Sequence, residues 1–139
     1  MKVFIDTDVL LDVALTREPF VGASAEMLRW AENNRRSAGL AEHSLATVYY
    51  MVRRELSESE SREWMSDILR NLTVAPLDHG SALRALASPI PDYEDALLAE
   101  AALIFGADHI ITRNLKHFRK SPVPAKTPDG FLRKIAKEG

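Results

Sequence analysis

Acidic side chains recur in this chain where short apolar runs meet helices. Asp6 directly follows the run Val3-Phe4-Ile5, and Asp8 stands two positions after Asp6. A second acidic group, Asp92-Tyr93-Glu94-Asp95, precedes an alanine-rich segment. Carboxylates that gather at one edge of a fold repel one another, so they need a cation or shared protons. Hard oxygen ligands without cysteine or histidine suit Mg²⁺ or Mn²⁺, and these ions serve phosphoryl chemistry.

The first of these acidic groups follows a predicted strand. The β-branched and aromatic residues of Val3-Phe4-Ile5 indicate a buried strand. Asp6 stands at its carboxyl end, where open parallel sheets bind ligands. Burying a carboxylate without a partner is costly, so function is the better interpretation of Asp6. Asp8 is predicted to cap a helix that begins at Val9, and capping alone would explain that residue.

The second acidic group opens a long predicted helix, from Asp92 to about Phe105, that Gly106 ends. Asp95 shares a face with the small alanines of this helix, so it is expected to point inward toward the sheet. Asp92, Glu94 and Asp95 have a second, structural interpretation, in which Asp92 caps the helix and Asp95 completes a capping box. Acidic residues in a first turn cap the helix and favour its dipole.

A third polar group follows another predicted strand, His109-Ile110-Ile111. Thr112 and Asn114 would add a hydroxyl and an amide oxygen at the edge where Asp6 lies, although both residue types also form turns. Arg113 and Lys116 belong to a basic loop beside them. This loop either positions phosphate groups or is a solvated turn, and the sequence favours neither.

Short strands alternate with helices along the whole chain. Strands are predicted near residues 3–5, 39–41, 72–77, 109–111 and 123–126, and helices near 9–15, 21–33, 43–55, 57–71, 78–87, 92–105 and from 128 onward. This alternation predicts an α/β fold, a three-layer α/β/α sandwich around a short, mostly parallel sheet. A length of 139 residues fits one domain over residues 1–139.

Composition excludes several classes of protein. The net charge of −2 provides no global field for nucleic acid, so any such binding must use a local basic patch. The absence of cysteine excludes disulfides and thiolate metal sites. No apolar run reaches the roughly 18 residues of a membrane span, and no signal peptide is evident, so we expect a cytoplasmic protein without membrane contact.

Three stretches in this order resemble the PIN domain family of nucleases, which includes the VapC-type toxins. They are Phe4 to Asp12, Asp92 to Leu97, and Ile111 to Phe118. With the elements between them, the resemblance covers nearly the whole chain. It implies a metal-dependent endoribonuclease that hydrolyses RNA phosphodiester bonds and uses Mg²⁺ or Mn²⁺, with one or two ions left open. It also implies that the chain could be the toxin of a toxin–antitoxin pair.

The resemblance assigns roles position by position. Asp6 matches the first acid of the family and Asp95 the acid at the helix start. Asn114 falls where many members have an acid, and Thr47 stands at the place of the usual second acid. The implied catalytic residues are Asp6, Asp95 and Asn114. The implied metal ligands are Asp6, Asp95, Asp92, Glu94, Asp8 and Asn114, and the implied substrate contacts are Thr47, Thr112, Arg113 and Lys116.

Two other functions stay open beside this one. The neutral Thr47 and Asn114 leave fewer charges for metal, so the fold could serve as an RNA- or protein-binding module with a weakened site. The triplet Asp6-Thr7-Asp8 after a strand also resembles the start of a haloacid-dehalogenase-type phosphatase, which ranks lower because its later motifs are missing. RNA is the expected substrate, while a cognate antitoxin and a homodimer are open as partners.

Overall fold

The computed structural model describes residues 1–138, and Gly139, the last residue of the predicted domain, lies outside the described part. The strands are β1 (Val3–Ile5), β2 (Ala38–Ala41), β3 (Thr73–Ala75), β4 (His109–Ile111) and β5 (Ala125–Lys126). The helices are α1 (Thr7–Ala14), α2 (Val21–Asn33), α3 (Glu42–Arg53), α4 (Glu58–Asn71), α5 (His79–Leu86), α6 (Tyr93–Phe105) and α7 (Pro128–Glu138), with a 3₁₀ helix at Leu115–Phe118.

The five strands form one parallel sheet in the order β3-β2-β1-β4-β5. In the centre, Ile5 of β1 lies opposite Ile111 of β4. The residues that follow these two strands, Asp6 and Thr112, therefore leave the sheet side by side. The predicted three-layer α/β fold with a mostly parallel sheet is confirmed.

Alternation along the strands produces two cores, one on each face of the sheet. Val3 and Ile5 pack with residues of α1, α2, α3, α4 and α7, whereas Phe4 packs with residues of α5 and α6. The three strand side chains are fully buried. Burial of each such side chain stabilises the fold by about 1.5–3 kcal/mol, so β1 is held firmly from both faces.

The start of α1 differs from the prediction. The prediction that Asp8 caps a helix from Val9 is wrong, because Asp6 has extended backbone angles and is itself the N-cap. Its carboxylate accepts a hydrogen bond from the N–H of Thr7 at 2.7 Å. Helix α1 therefore begins at Thr7, and Asp8 lies in its first turn. Asp6 and Asp8 are both suitable N-cap residues, and Asp6, which directly follows the strand, occupies the N-cap position.

Other element boundaries shift by a few residues. Strands β3 and β5 are shorter than the predicted 72–77 and 123–126, and α3 begins at Glu42 and ends at Arg53. The predicted ends of two helices are confirmed: Ser57 forms a capping box with Glu60, and Gly106 ends α6 with a φ of 79°. No helix among residues 1–138 is long and apolar enough to cross a membrane.

Candidate acidic site at the sheet edge

Asp6 is the centre of the candidate site. Asp6 follows the middle strand and is only 8% exposed, and no cationic side chain among residues 1–138 forms an ion pair with it. Its second oxygen accepts a hydrogen bond from Thr112 Oγ1 at 2.8 Å. Burial, and to a smaller extent the nearby Asp8 carboxylate, raises the pKa of Asp6 to about 7. This carboxyl group is therefore close to half protonated at neutral pH.

Asp8 lies beside Asp6 in the first turn of α1. Its Oδ2 accepts hydrogen bonds from the backbone N–H of Arg113 at 2.9 Å and from Asn114 Nδ2 at 3.3 Å. Its Oδ1 is buried and has no hydrogen-bond partner in the part of the chain that the structure describes. Burial raises the pKa of Asp8 also. A buried carboxylate oxygen without a partner is costly, so this atom is suited to a ligand that the protein itself does not supply.

The loop after β4 brings Thr112 and Asn114 to the two carboxylates, as predicted from their place in the sequence. Thr112 is fully buried, and its hydroxyl donates to Asp6 while it accepts the N–H of Asn114 at 3.0 Å. The amide of Asn114 faces Asp8. The structure thus joins Asp6, Asp8, Thr112 and Asn114, although the first and last lie more than one hundred residues apart in the chain.

Asp95 approaches this group from the first turn of α6. Its carboxylate is near enough to raise the pKa of Asp6. Burial raises the pKa of Asp95, and Asp92 raises it further, while His117 opposes the shift. The distance from His117 Nδ1 to Asp95 Oδ2 is 3.2 Å. The predicted inward orientation of Asp95 is consistent with its partial burial and with the buried alanines on the same helix.

Asp92 and Glu94 lie farther out than Asp95. Asp92 is the N-cap of α6, and its Oδ1 accepts the N–H of Asp95 at 3.0 Å. Both side chains are exposed. Glu94 lies close to the imidazole of His43, whose pKa burial lowers. The capping interpretation of Asp92 is confirmed, and its predicted role as a metal ligand stays a prediction, as does that of Glu94.

Arg113 has a position that the sequence did not indicate. Its guanidinium donates to Asp12 from Nε at 2.8 Å and from the second terminal nitrogen at 3.1 Å. Asp12 is fully buried. Asp12 was not among the predicted site residues. Its place in the apolar run Val9-Leu10-Leu11-Asp12-Val13 nevertheless indicates a buried carboxylate, which requires a paired cation. The predicted substrate contact of Arg113 stays a prediction.

Thr47 and Lys116 are the remaining predicted residues. Thr47 is half-buried on α3, one turn after Ser44, and Ser44 Oγ accepts a hydrogen bond from Thr7 Oγ1 at 3.1 Å. Lys116 is exposed and lines a shallow depression with Asn114 and His117. The predicted substrate contacts of Thr47, Thr112 and Lys116 stay predictions.

The chemistry of these donors fits a hard divalent cation. The ligand atoms are carboxylate and amide oxygens, which Mg²⁺ and Mn²⁺ prefer. Among the residues that the structure describes, Asp6 forms no ion pair and Asp8 Oδ1 has no hydrogen-bond partner, so the site has acceptor atoms free for a cation. Within residues 1–138, however, no three acidic or histidine side chains converge closely enough to hold an ion as they lie. Asp6, Asp8, Asp95 and Asn114 are the residues that would hold one.

The carboxylates lie at the carboxyl end of the central strand of a parallel α/β domain, which is where such folds bind their ligands. A family model for the PIN domain matches residues 2–116, so the chain belongs to the PIN domain family. PIN domains are nucleases and generally use divalent metal ions. The phosphatase alternative has no support in this match. No curated protein matches the sequence significantly.

Solved structures show the same fold. The VapBC2 complex of Rickettsia felis bound to a promoter DNA fragment has a TM-score of 0.68 at 18% identity, covering 91% of this chain and 98% of that chain. A toxin–antitoxin complex from Klebsiella pneumoniae has a TM-score of 0.70 at 20% identity, with coverage of 91% and 98%. FitAcB from Neisseria gonorrhoeae has a TM-score of 0.63 at 15% identity, with coverage of 91% and 97%.

Proposed function

We propose that this protein is an endoribonuclease that hydrolyses RNA phosphodiester bonds with Mg²⁺ or Mn²⁺. The observation that carries the proposal is the pair Asp6 and Asp8. These buried carboxylates lie at the edge of the sheet with raised pKa values and one unpartnered oxygen. Charge held in this way is compensated when a cation binds. Membership in a family of nucleases supports a reaction at a phosphodiester.

The side chains have distinct parts in this proposal. Asp6 is the central ligand, and Thr112 holds its carboxylate in place. Asp8 contributes its free oxygen, while Asp95 and Asn114 complete the donors from α6 and from the loop after β4. When bound, a divalent cation activates water and stabilises charge on the transferring phosphoryl group. The chain shows no side-chain nucleophile among these residues.

The basic side chains beside the donors are suited to the phosphates that flank the reacting bond. Lys116 is exposed on the 3₁₀ helix, and Arg119 and Lys120 follow it. Cationic contacts of this kind provide affinity that is independent of base sequence and that falls with salt. Charge reversal of Lys116 should therefore weaken RNA binding uniformly among substrates. The net charge of −2 makes this local patch the basis of the expected affinity.

A protein partner is the second part of the proposal. The solved structures with this fold include a toxin–antitoxin complex and a complex bound to promoter DNA. We infer from the shared fold that this chain acts as a toxin held by an antitoxin. The expected result is that expression of the chain alone arrests growth and that Asp6→Asn relieves the arrest. Equal arrest by that variant would contradict this part of the proposal.

RNA cleavage with matched variants tests the enzymatic part. Asp6→Asn should abolish cleavage, because the amide cannot provide the negative charge that the cation needs. Asp78→Asn is the control: Asp78 is also a helix N-cap, at the start of α5, and lies outside the site. Asparagine caps helices about as well as aspartate, so both variants should fold. Circular dichroism and thermal melting confirm the fold before cleavage is measured.

The outcomes separate the nuclease from a binding module with a weakened site. Cleavage by wild type and by Asp78→Asn, but not by Asp6→Asn, supports the nuclease. RNA binding without cleavage at millimolar Mn²⁺ would favour the binding module. Cleavage that survives in Asp6→Asn would show that the acidic site is not where the reaction takes place.

A further inference from the structure

A buried ion pair lies directly behind the acidic site. Both carboxylate oxygens of Asp12 on α1 accept hydrogen bonds from the guanidinium of Arg113, at 2.8 and 3.1 Å. Ser24 on α2 donates to the same carboxylate at 3.1 Å. The guanidinium carbon lies 3.8 Å from the ring centroid of Phe20. We call these four residues, Asp12, Phe20, Ser24 and Arg113, the Asp12 clamp.

The clamp reaches the site through the backbone of Arg113. Its N–H donates to Asp8 Oδ2 at 2.9 Å. The residues on either side also belong to the site, because the Thr112 hydroxyl donates to Asp6 and the Asn114 amide faces Asp8. Three consecutive residues after β4 therefore form hydrogen bonds with the two carboxylates. The side chain of the middle residue, Arg113, is part of the clamp.

This arrangement restricts the loop more than an ordinary surface ion pair would. Two parallel hydrogen bonds from a guanidinium to a carboxylate fix the plane of the side chain as well as its distance. Stacking on Phe20 covers one face of that plane. The carboxylate of Asp12 is fully buried, whereas the Arg113 side chain is 25% exposed, so water and salt reach the pair only from the guanidinium side. The backbone of residue 113 is thereby tied to α1, the helix that also bears Asp8.

We propose that Asp12 is a positioning residue for the acidic site, and that it acts through Arg113 on the loop that holds Asp6 and Asp8. The inference rests on the proposed nuclease function, which gives that loop its purpose. Asp12 contacts neither carboxylate, so it is not a catalytic residue. A purely structural role for the pair is the competing explanation, since removing one member of a buried ion pair strongly destabilises a protein.

A double substitution separates the two explanations. Asp12→Leu combined with Arg113→Met replaces the pair with apolar side chains of similar size, which commonly restores stability. Backbone hydrogen bonding remains available to residue 113, but its position is no longer fixed. We expect the thermal midpoint to be close to that of wild type, the amide hydrogen of residue 113 to exchange at least ~10-fold faster, and kcat to fall roughly 100-fold with little change in KM.

A matched control uses an exposed pair of the same residue types. Arg70 and Asp67 on α4 lie 3.5 Å apart and are both well exposed. Asp67→Leu combined with Arg70→Met makes the same chemical change far from the site. That control should keep wild-type kcat and wild-type exchange at residue 113, and its failure to do so would show that the substitutions themselves perturb the chain.

The result that overturns the proposal is a folded Asp12→Leu, Arg113→Met variant with wild-type exchange at residue 113 or with wild-type kcat. If this variant does not fold, Arg113→Lys decides, because lysine keeps the charge but loses the two parallel bonds. It should show the same faster exchange and lower kcat, and wild-type values for either would overturn the proposal. If wild type itself cleaves no RNA, the proposed function fails, and the exchange rates alone test the clamp.

Discussion

Two buried aspartates, Asp6 as the N-cap of helix α1 and Asp12 within that helix, have opposite surroundings. Asp12 is fully buried and receives three hydrogen bonds, two of them from the guanidinium of Arg113. Asp6, at the start of the same helix, is nearly as buried but has only a hydroxyl and a backbone N–H for partners. Burial alone therefore does not mark the candidate site. The absence of a cation beside a buried carboxylate does.

Asp12 and Asp6 should differ most in how their substitution changes the free energy of unfolding. Asp12→Ala leaves the Arg113 guanidinium, which is 25% exposed, without its buried partner, so the free energy of unfolding should fall by about 3 kcal/mol, the lower end of the range for buried pairs. Urea unfolding at pH 7 measures this. A loss below about 1 kcal/mol would show that the Asp12–Arg113 pair is not the compensated charge that its geometry indicates.

Asp6→Asn should instead increase the free energy of unfolding at alkaline pH. The folded pKa of Asp6 lies near 7, above its ordinary value of 3.8, so the folded state binds more protons than the unfolded chain between these values. Stability from this group is therefore complete below about pH 4 and is lost as the pH rises through 7. Asp6→Asn removes that loss and should stabilise the metal-free protein at pH 8 by on the order of 2 kcal/mol.

Thermal or urea unfolding at pH 5 and pH 8 tests this sign. Asp8 and Asp95 also have raised pKa values, so they too make wild type less stable as the pH rises. Asp6→Asn should therefore reduce the loss of stability between pH 5 and pH 8 without abolishing it. Asp78→Asn serves as the control, since hydrogen bonds lower the pKa of that exposed carboxyl group. A variant of Asp6 that is less stable than wild type at pH 8 would contradict the account.

Metal affinity should depend on pH in the same range. Asp6 must lose its proton before it binds a cation, so Mn²⁺ affinity should fall about tenfold for each pH unit below 7, equivalent to about 1.4 kcal/mol. Calorimetric titrations between pH 5.5 and 7.5 measure the slope and the protons released. An affinity that does not change over this range would mean that Asp6 is not the ligand.

The smallest effect is expected where a charged pair is exposed. Arg70 and Asp67 on α4 are both mostly accessible, so Asp67→Asn should change the free energy of unfolding by no more than about 0.5 kcal/mol. Urea unfolding beside Asp12→Ala provides the direct contrast. A cost comparable to that of Asp12→Ala would mean that the difference in burial does not explain the two regions.

Much of the site could be predicted from the sequence because it follows from local rules. An apolar run ending in Asp6, a run ending in Thr112 and an acidic start of α6 are each visible within a few residues. Parallel pairing then brings the ends of β1 and β4 together. The sheet, the two polar loops at its edge and the ends of most helices needed no knowledge of distant contacts.

The parts that were missed depend on distant contacts or on close competition. Asp12 and Arg113 are separated by about a hundred residues, so their pairing is not visible in any local pattern. The first cap was misplaced because Asp6 and Asp8 are equally good capping residues two positions apart, and only the end of β1 decides between them. Neither case could be resolved from residue types alone.

Calorimetric titration of Mn²⁺ into wild type, Asp6→Asn, Asp95→Asn and the Asp78→Asn control tests whether the carboxylates at the sheet edge bind metal. We expect wild type and the control to bind the ion, and the two site variants to lose this binding while they keep their fold. Equal binding by all four proteins would contradict this expectation, and so would absence of binding in wild type at millimolar Mn²⁺ both with and without RNA.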